Sequence, residues 1–205
     1  MIVYAESNFL LEWIRQQSGI QAVERIVELA EARTVQLKIP GCAFAEVRTT
    51  LERAGKESTA LQDAIKRETN KAGGSAHGRR LVKLYESIQD TVRKQATVHL
   101  KRHDRFAKRC FRSAQILELN VKILAYLPET LSEYDLNVQD ALVLATVVAD
   151  AASRQTTETK LFVQKDKEDF NTPEIKAVLN AHDCECIWGF ESALKKIESA
   201  IRPFI

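Results

Sequence analysis

Glycine and proline are both scarce in this chain of 205 residues, which holds seven glycines and four prolines. Their shortage argues against a fold of many short strands and tight turns, and it favours helices. No uninterrupted apolar run approaches the ~20 residues that a helix needs to cross a bilayer. Residues 1–6 also lack the basic start and apolar core of a signal peptide. We therefore expect a soluble, cytoplasmic protein with no membrane partner.

Cysteine is also sparse, and the four thiols form no C-x-x-C pair. Cys184 and Cys186 alternate along a predicted strand with His182 nearby, so a zinc site is one alternative. A structural zinc site, however, needs four ligands in matched pairs. We therefore expect buried free thiols.

Positive charge is concentrated in the middle of the chain. Between residues 47 and 112, 17 lysines and arginines stand against 7 acids, a net charge of +10; the whole chain carries +2, so the remainder carries −8. Charge runs are often solvated helix surfaces, but too few acids are present here to balance the bases, which favours phosphate binding. A polyanion that reaches a cation-binding core would explain both halves of this distribution.

Short apolar stretches alternate with amphipathic ones, which predicts an α/β fold with a central parallel sheet covered on both faces. The predicted strands are residues 2–5, 35–39, 160–164 and 184–188. Helices are predicted from near Cys42, at about 56–71 and 78–112, at 116–126, and from about residue 138 to between 150 and 153. We expect one domain, 1–205, that contains a basic helical insertion at 55–115.

Four carboxylates occupy places where functional groups gather in such a sheet. Glu6 directly follows one predicted strand, and Asp166 comes two residues after the end of another. Glu46 and Asp140 lie near the starts of two helices. The carboxyl ends of parallel strands meet at one edge of the sheet. Converging carboxylates repel one another unless a cation is present, and oxygen ligands without His or Cys select Mg²⁺ or Mn²⁺. Such a site suits hydrolysis of a phosphodiester.

Each acid also has a purely structural interpretation. Glu6 could cap the helix that follows it, and Glu46 could be a solvated helix residue. Asn137 and Asp140 fit an N-cap and the third position of its helix. Asp166 and Asp169 could be loop acids that pair with Lys165 and Lys167. The helix after Asp140 is almost wholly apolar, however, and a carboxylate on a buried helix is costly unless it is paired, hydrogen-bonded or bound to a metal.

Four stretches, taken in order, resemble the PIN-domain nucleases: VYAESNFL at 3–10, AFAEVR at 43–48, LNVQDALVLA at 136–145 and FVQKDKEDF at 162–170. The resemblance implies a PIN-like three-layer α/β/α core and a Mg²⁺- or Mn²⁺-dependent endoribonuclease that hydrolyses RNA. It assigns catalysis and metal binding to Glu6, Glu46, Asp140 and Asp166, an auxiliary metal ligand to Asp169, and hydrogen bonds beside the first acid to Ser7 and Asn8.

The chain departs from the family pattern in two respects. The family usually has Asp at the first position, where this chain has Glu6, and the longer side chain changes the reach of the oxygen ligand. The chain is also longer than the small toxin nucleases of toxin–antitoxin pairs, and the surplus lies mostly in the basic segment. That segment supplies the candidate RNA contacts, which are Arg79, Arg80, Lys83, Lys101, Arg102, Arg105, Lys108 and Arg109.

Three functions are therefore compatible with these residues. The first is a metal-dependent ribonuclease, and the second is a non-catalytic RNA-binding protein on the same fold, in which Glu6 marks a decayed site. The third is a toxin that an inhibitory partner protein silences by inserting a basic residue among the acids. Apolar surface that includes Trp13 and Trp188 is also compatible with a homodimer.

Overall fold

Five parallel strands form the central sheet of the computed structural model, which describes residues 1–72, 76–153, 158–165 and 169–201. In chain order they are β1 (Ile2–Ala5), β2 (Gln36–Pro40), β3 (Gln115–Leu117), β4 (Lys160–Gln164) and β5 (Cys184–Trp188). Their spatial order is β3-β2-β1-β4-β5. Every residue of β1 and β4 is buried, as expected for central strands with both faces covered.

Eight helices accompany the strands within these ranges. They are α1 (Ser7–Arg15), α2 (Ile20–Glu31), α3 (Gly41–Ala72), α4 (Ala76–Ser113), α5 (Val121–Tyr134), α6 (Val138–Ala152), α7 (Pro173–Asn180) and α8 (Phe190–Ile201). Helices α1, α2 and α8 contact one another and the sheet, and α5, α6 and α7 form a second such group. The prediction of an α/β fold with a central parallel sheet and flanking helices is confirmed. None of the described helices is both long and apolar enough to cross a membrane.

The apolar residues of α6 explain its position on the sheet. Leu144 and Val147 lie in one cluster with Ile2, Tyr4 and Phe162 from β1 and β4. Ile2 and Tyr4 are two apart in β1, so they project from the same face. Full burial of each large apolar side chain contributes roughly 1.5–3 kcal/mol, so this cluster fixes α6 on the two central strands.

The predicted helix at 116–126 is correct only from Val121 onward. Residues Gln115–Leu117 form strand β3, and the helix that follows runs from Val121 through Pro128 to Tyr134. Three residues are too few to show the alternation of a strand. Proline removes one helical hydrogen bond, but Leu124, whose carbonyl loses its donor, is on the exposed side of α5, where water can replace that donor.

The separate helix predicted at about 56–71 is also wrong, because α3 is continuous from Gly41 to Ala72. Gly55 lies inside it, and a glycine in a helix costs only about 1 kcal/mol relative to alanine. A Cβ added at Gly55 would lie 3.9 Å from the Cβ of Ala96 in α4, so the two helices approach closely at this point. The predicted break at residues 73–75 lies outside the described residues.

The chain divides into two compact units, one formed by Met1–Val47 with Arg105–Ile205 and the other by Arg48–Asp104. The second unit is a helical pair made from parts of α3 and α4, where the sequence placed an insertion at 55–115. Arg48 binds Asp104 at 2.9 Å across the base of the pair. Tyr85 donates a hydrogen bond to the carbonyl of Gln62 nearer its far end. This unit carries 13 bases and 7 acids, a net charge of +6.

Two buried lysines hold the C-terminal end of α6. Lys38 Nζ in β2 lies 2.6 Å from Asp150 Oδ2, to which the Tyr4 hydroxyl donates at 2.7 Å. Lys160 Nζ, at the start of β4, donates to the carbonyl oxygens of Ala151 at 3.0 Å and His182 at 2.9 Å. Cations at a helix C-terminus oppose the negative end of its dipole, so both lysines stabilise this end of α6.

Replacing Lys38 alone should destabilise the protein severely. Lys38→Met removes the ammonium but leaves the largely buried carboxylate of Asp150, which is expected to cost about 3–5 kcal/mol. The free energy of unfolding, measured in urea, would show the loss. Lys38→Met combined with Asp150→Leu should recover most of it, because no uncompensated charge remains. Equal stability of Lys38→Met and the wild type would contradict the importance of the pair.

Candidate active site

The strand order reverses between β1 and β4, and in open α/β sheets such a reversal leaves a crevice at the carboxyl ends of the strands. From β1 the chain continues to β2 and β3 on one side, and it later crosses to β4 and β5 on the other side. Ligands of open α/β sheets bind where the strand order reverses in this way. Glu6 directly follows β1, and Lys165 directly follows β4, so both lie at this point.

Glu6 is buried, with 1% of its surface exposed. Its Oε2 accepts hydrogen bonds from Ser7 Oγ at 3.1 Å and from the backbone N–H of Asn8 at 2.5 Å, so Glu6 is the N-cap of α1. Its Oε1 is also buried and has no hydrogen-bond partner among the described residues. Capping therefore explains one oxygen of this carboxylate and leaves the other unexplained.

The Glu6 and Glu46 carboxylates lie close enough to affect each other. Burial raises the pKa of Glu6 to about 8. Hydrogen bonds from Asn8 and Ser7 oppose this increase, and the charge of Glu46 adds to it. The backbone N–H of Lys165 lowers this pKa weakly. Burial also raises the pKa of Glu46, whereas a hydrogen bond from the Ser7 side chain lowers it. Ser7 therefore lies near both acids, and its hydroxyl donates to Glu6 Oε2.

This pair has the chemistry of a cation site. Two carboxylates of like charge in a desolvated place favour protonation, unless a cation compensates their charge. The buried Oε1 of Glu6 accepts no hydrogen bond in the described part of the chain, so it could serve as an oxygen ligand. Hard oxygen donors of this type suit Mg²⁺ or Mn²⁺. The two residues present therefore fit a divalent ion, as part of its ligand set.

Asp140 has a capping partner, as the structural interpretation predicted. It lies in the first turn of α6, where Asn137 Oδ1 accepts the N–H groups of Gln139 at 2.9 Å and Asp140 at 3.1 Å. The Asn137 amide also donates to Asp140 Oδ2. Asp140 is half-buried, so its carboxylate retains access to solvent.

The remaining predicted ligands are not brought into one cluster. Asp169 is half-buried in the segment that follows β4, and Asp166 lies outside the described residues. Within the described ranges, no group of three or more His, Cys, Asp or Glu side chains is placed to hold a metal ion. The structure therefore joins Glu6 to Glu46, while the complete predicted set, which includes Asp166, stays a prediction.

The predicted RNA contacts differ in how accessible they are. Arg80, Lys83, Lys101, Arg105 and Lys108 are exposed, Arg102 is half-buried, and the side chain of Arg79 is outside the described part. Arg109 differs from these residues because its guanidinium binds Glu31 at 2.7 and 2.9 Å and also binds Glu24. These acids raise the pKa of Arg109. Its role is to tie α4 to α2, which argues against its predicted contact with RNA.

The four cysteines are free thiols, as expected. Cys110 and Cys184 are buried, and burial raises the pKa of each thiol to about 12. Cys42 is half-buried, and burial together with the charge of Glu46 raises its pKa to about 11. A zinc ligand must be a thiolate, so these environments disfavour the zinc alternative.

Glu12 and Lys165 were not predicted from the sequence as site residues. Glu12 is fully buried in α1, and its Oε2 lies 2.6 Å from Lys165 Nζ at the end of β4. Glu12 follows Phe9 by three residues, so helical spacing places it on the apolar side of α1. A carboxylate in that place needs a partner, and this requirement was the available indication.

No protein-family model, curated protein or solved structure matches the chain. The resemblance to PIN-domain nucleases therefore stands on the residues quoted for it, and the site must be argued from its own geometry.

The raised pKa of Glu6 should make stability depend on pH in a predictable direction. Between its unfolded value of 4.5 and about 8, the folded state binds the proton more tightly than the unfolded state, so stability falls as pH rises. Glu6→Gln removes this dependence, so the variant should gain stability relative to the wild type from about pH 5 to about pH 9. Urea unfolding with EDTA measures the difference.

Glu46, whose pKa is also raised, titrates in both proteins of this comparison. The matched control is Glu185→Gln, because Glu185 is exposed and pairs with Lys196. Its stability should follow the wild-type pH dependence. Parallel curves for Glu6→Gln and the wild type would show that Glu6 is not a buried carboxyl with a raised pKa.

Proposed function

We propose that the chain is a Mg²⁺- or Mn²⁺-dependent endoribonuclease with a PIN-like three-layer core and a basic helical insertion. The observation that carries this proposal is the buried Oε1 of Glu6, which accepts no hydrogen bond among the described residues and lies near the half-buried Glu46 at the point where the strand order reverses. The capping role of Glu6 uses only its other carboxylate oxygen. A cation bound by the two acids would compensate their like charges.

Glu6 and Glu46 would hold the metal ion, and Ser7 would orient both carboxylates through its hydroxyl. Asp140 and Asp166, with Asp169 as an auxiliary ligand, would complete the ligand set that the resemblance implies. A bound Mg²⁺ or Mn²⁺ would activate water and stabilise negative charge on the phosphodiester that is cut. Asn8 contributes its backbone N–H, which fixes the Glu6 carboxylate in place.

RNA is the proposed substrate because of the charge of the Arg48–Asp104 unit. Its net charge of +6 is spread over two helices with exposed bases, among them Arg80, Lys83 and Lys101. Exposed cations bind phosphates without reading sequence, and RNA binding of this type weakens with salt. In the toxin variant of this proposal, a partner protein would insert a basic residue between Glu6 and Glu46.

A non-catalytic RNA-binding protein is the second candidate. Two observations favour it: Glu6 caps α1, and Asp140 is held by its own N-cap residue, Asn137. Both acids then have structural roles that require no metal. Under this alternative the basic unit binds RNA, and the phosphodiester bonds stay intact.

Cleavage of a labelled RNA pool separates the two candidates. The wild type should cut RNA with Mn²⁺ or Mg²⁺ and should be inactive in EDTA. Glu6→Gln, Glu46→Gln and Asp140→Asn should each lower the cleavage rate by about 100-fold or more, because each removes a charged oxygen ligand. Rates are measured at saturating RNA on proteins whose folding is checked by circular dichroism.

Glu185→Gln is the control for the loss of one negative charge, since Glu185 is exposed on β5. It should cut at the wild-type rate. Cutting that persists in EDTA, or in all three site variants, would exclude the acidic site as the catalytic centre. RNA binding without any cutting would establish the second candidate instead.

The salt dependence of RNA binding tests the basic surface. Lys83→Gln and Lys101→Gln remove exposed charges and should weaken binding, each lowering the slope of log affinity against log salt by about 0.7 on single strands. Fluorescence anisotropy in EDTA measures the affinity without cleavage.

Arg109→Gln is the matched comparison, because Arg109 carries the same charge but binds Glu24 and Glu31. It should leave the salt slope unchanged and lower the stability of the protein. Equal effects of all three substitutions on the slope would contradict a surface formed by the exposed bases.

A further inference from the structure

Lys165 is held from two sides at the end of β4. Its ammonium lies 2.6 Å from Glu12 Oε2, and its carbonyl oxygen accepts a hydrogen bond from the indole Nε1–H of Trp188 at 3.2 Å. Helix α1 supplies the first contact, and β5 supplies the second. These two contacts fix Lys165 relative to α1 and β5.

Glu12 itself has no freedom to move away. It is fully buried, and its Oε1 accepts the backbone N–H of Gly19 at 2.5 Å. A Cβ added at Gly19 would lie 3.0 Å from that oxygen and 3.2 Å from the ring of Phe190. The space around the carboxylate is thus closed, and its second oxygen binds the ammonium of Lys165.

The position of Lys165 bears directly on Glu6. Ala5 of β1 pairs with Val163 of β4, so the two strands end side by side and Lys165 at the end of β4 lies beside Glu6 at the end of β1. Movement of the end of β4 would therefore change the surroundings of the Glu6 carboxylate.

We propose that Lys165 is a positioning residue: its ion pair with Glu12 fixes the end of β4 beside Glu6 and thereby sets the affinity of the acidic site for a divalent cation. This inference rests on the proposed function, since it assumes that Glu6 is a metal ligand. The pair acts through geometry, because the ammonium of Lys165 binds Glu12, while the pairing of β4 with β1 places the end of β4 beside Glu6. Mutation of residues that hold metal ligands in place typically weakens metal binding by about 10- to 100-fold.

The ion pair is not needed for stability as such. Buried ion pairs can often be replaced by neutral groups of similar shape without loss of stability, whereas removal of one partner leaves a buried charge. The informative variant therefore combines Glu12→Gln with Lys165→Met. The glutamine side chain would retain an acceptor for the Gly19 N–H, so the local fold should persist. Lys165→Arg is the conservative variant that keeps the pair.

The first measurement needs no metal and follows the indole N–H resonances of isotope-labelled protein. The chain has two tryptophans. Trp188 donates to Lys165, whereas Trp13 donates to Glu24 and so serves as an internal reference. In the double variant the Trp188 resonance should move and the Trp13 resonance should stay. Lys165→Arg should leave both close to their wild-type positions.

The second measurement is Mn²⁺ affinity, followed by the electron paramagnetic resonance of the free ion. The double variant should bind Mn²⁺ about 10- to 100-fold more weakly than the wild type, and Lys165→Arg should retain most of the affinity. The cleavage kcat should fall with little change in the KM for RNA. Lys196→Met, which breaks the exposed pair with Glu185, should change none of these values.

The outcomes separate the two proposals. A wild type that binds no Mn²⁺ and cuts no RNA would end the proposed function, whatever the tryptophan resonances show. A wild type that binds Mn²⁺ while the double variant binds it equally well would overturn only the positioning role of Lys165. An unmoved Trp188 resonance in the double variant would also overturn it, because the end of β4 would then be fixed without the ion pair.

Discussion

The burial of one carboxylate, that of Glu6, sets the electrostatics of the candidate site. Glu6 stands at the end of the central strand, and burial raises its pKa to about 8 despite two hydrogen bonds to Oε2. A group in this state is held neutral near physiological pH unless a positive charge enters the crevice. Neighbouring features either relieve that condition, as Ser7 and Lys165 do, or intensify it, as Glu46 does. The site is therefore poised to respond to a cation.

The strand order places this carboxylate where two groups of helices separate. The chain leaves β1 towards one group and leaves β4 towards the other, so the crevice between them is a result of topology and needs no special loop. Ion pairs also join separate elements. Lys165 joins the end of β4 to α1, and Arg109 joins α4 to α2. Both pairs connect segments that are far apart in the sequence.

Much of the fold could be predicted because its periodicity is strong. The four longer strands and the apolar helix α6 show their burial in the sequence, and Asn137 with Asp140 shows the start of that helix. Strand β3 could not be predicted, because three residues are too few to show an alternation. Gly55 lies inside α3 and Pro128 inside α5, so neither residue ends its helix. In the candidate site, Glu6 and Glu46 were found from their places beside strand and helix ends. The Glu12–Lys165 pair was missed because its partners are 153 residues apart and only the fold brings them together.

The two buried lysines beneath α6 have a consequence for how this protein could change over evolutionary time. Lys160 begins β4 and binds carbonyl groups at the amino edge of the sheet, whereas Glu6 and Lys165 lie at the carboxyl edge. The contacts that anchor α6 and the residues of the candidate site thus lie at opposite edges of the sheet. Substitutions at the carboxyl edge can therefore change the acidic pair while the contacts at the amino edge keep the chain folded.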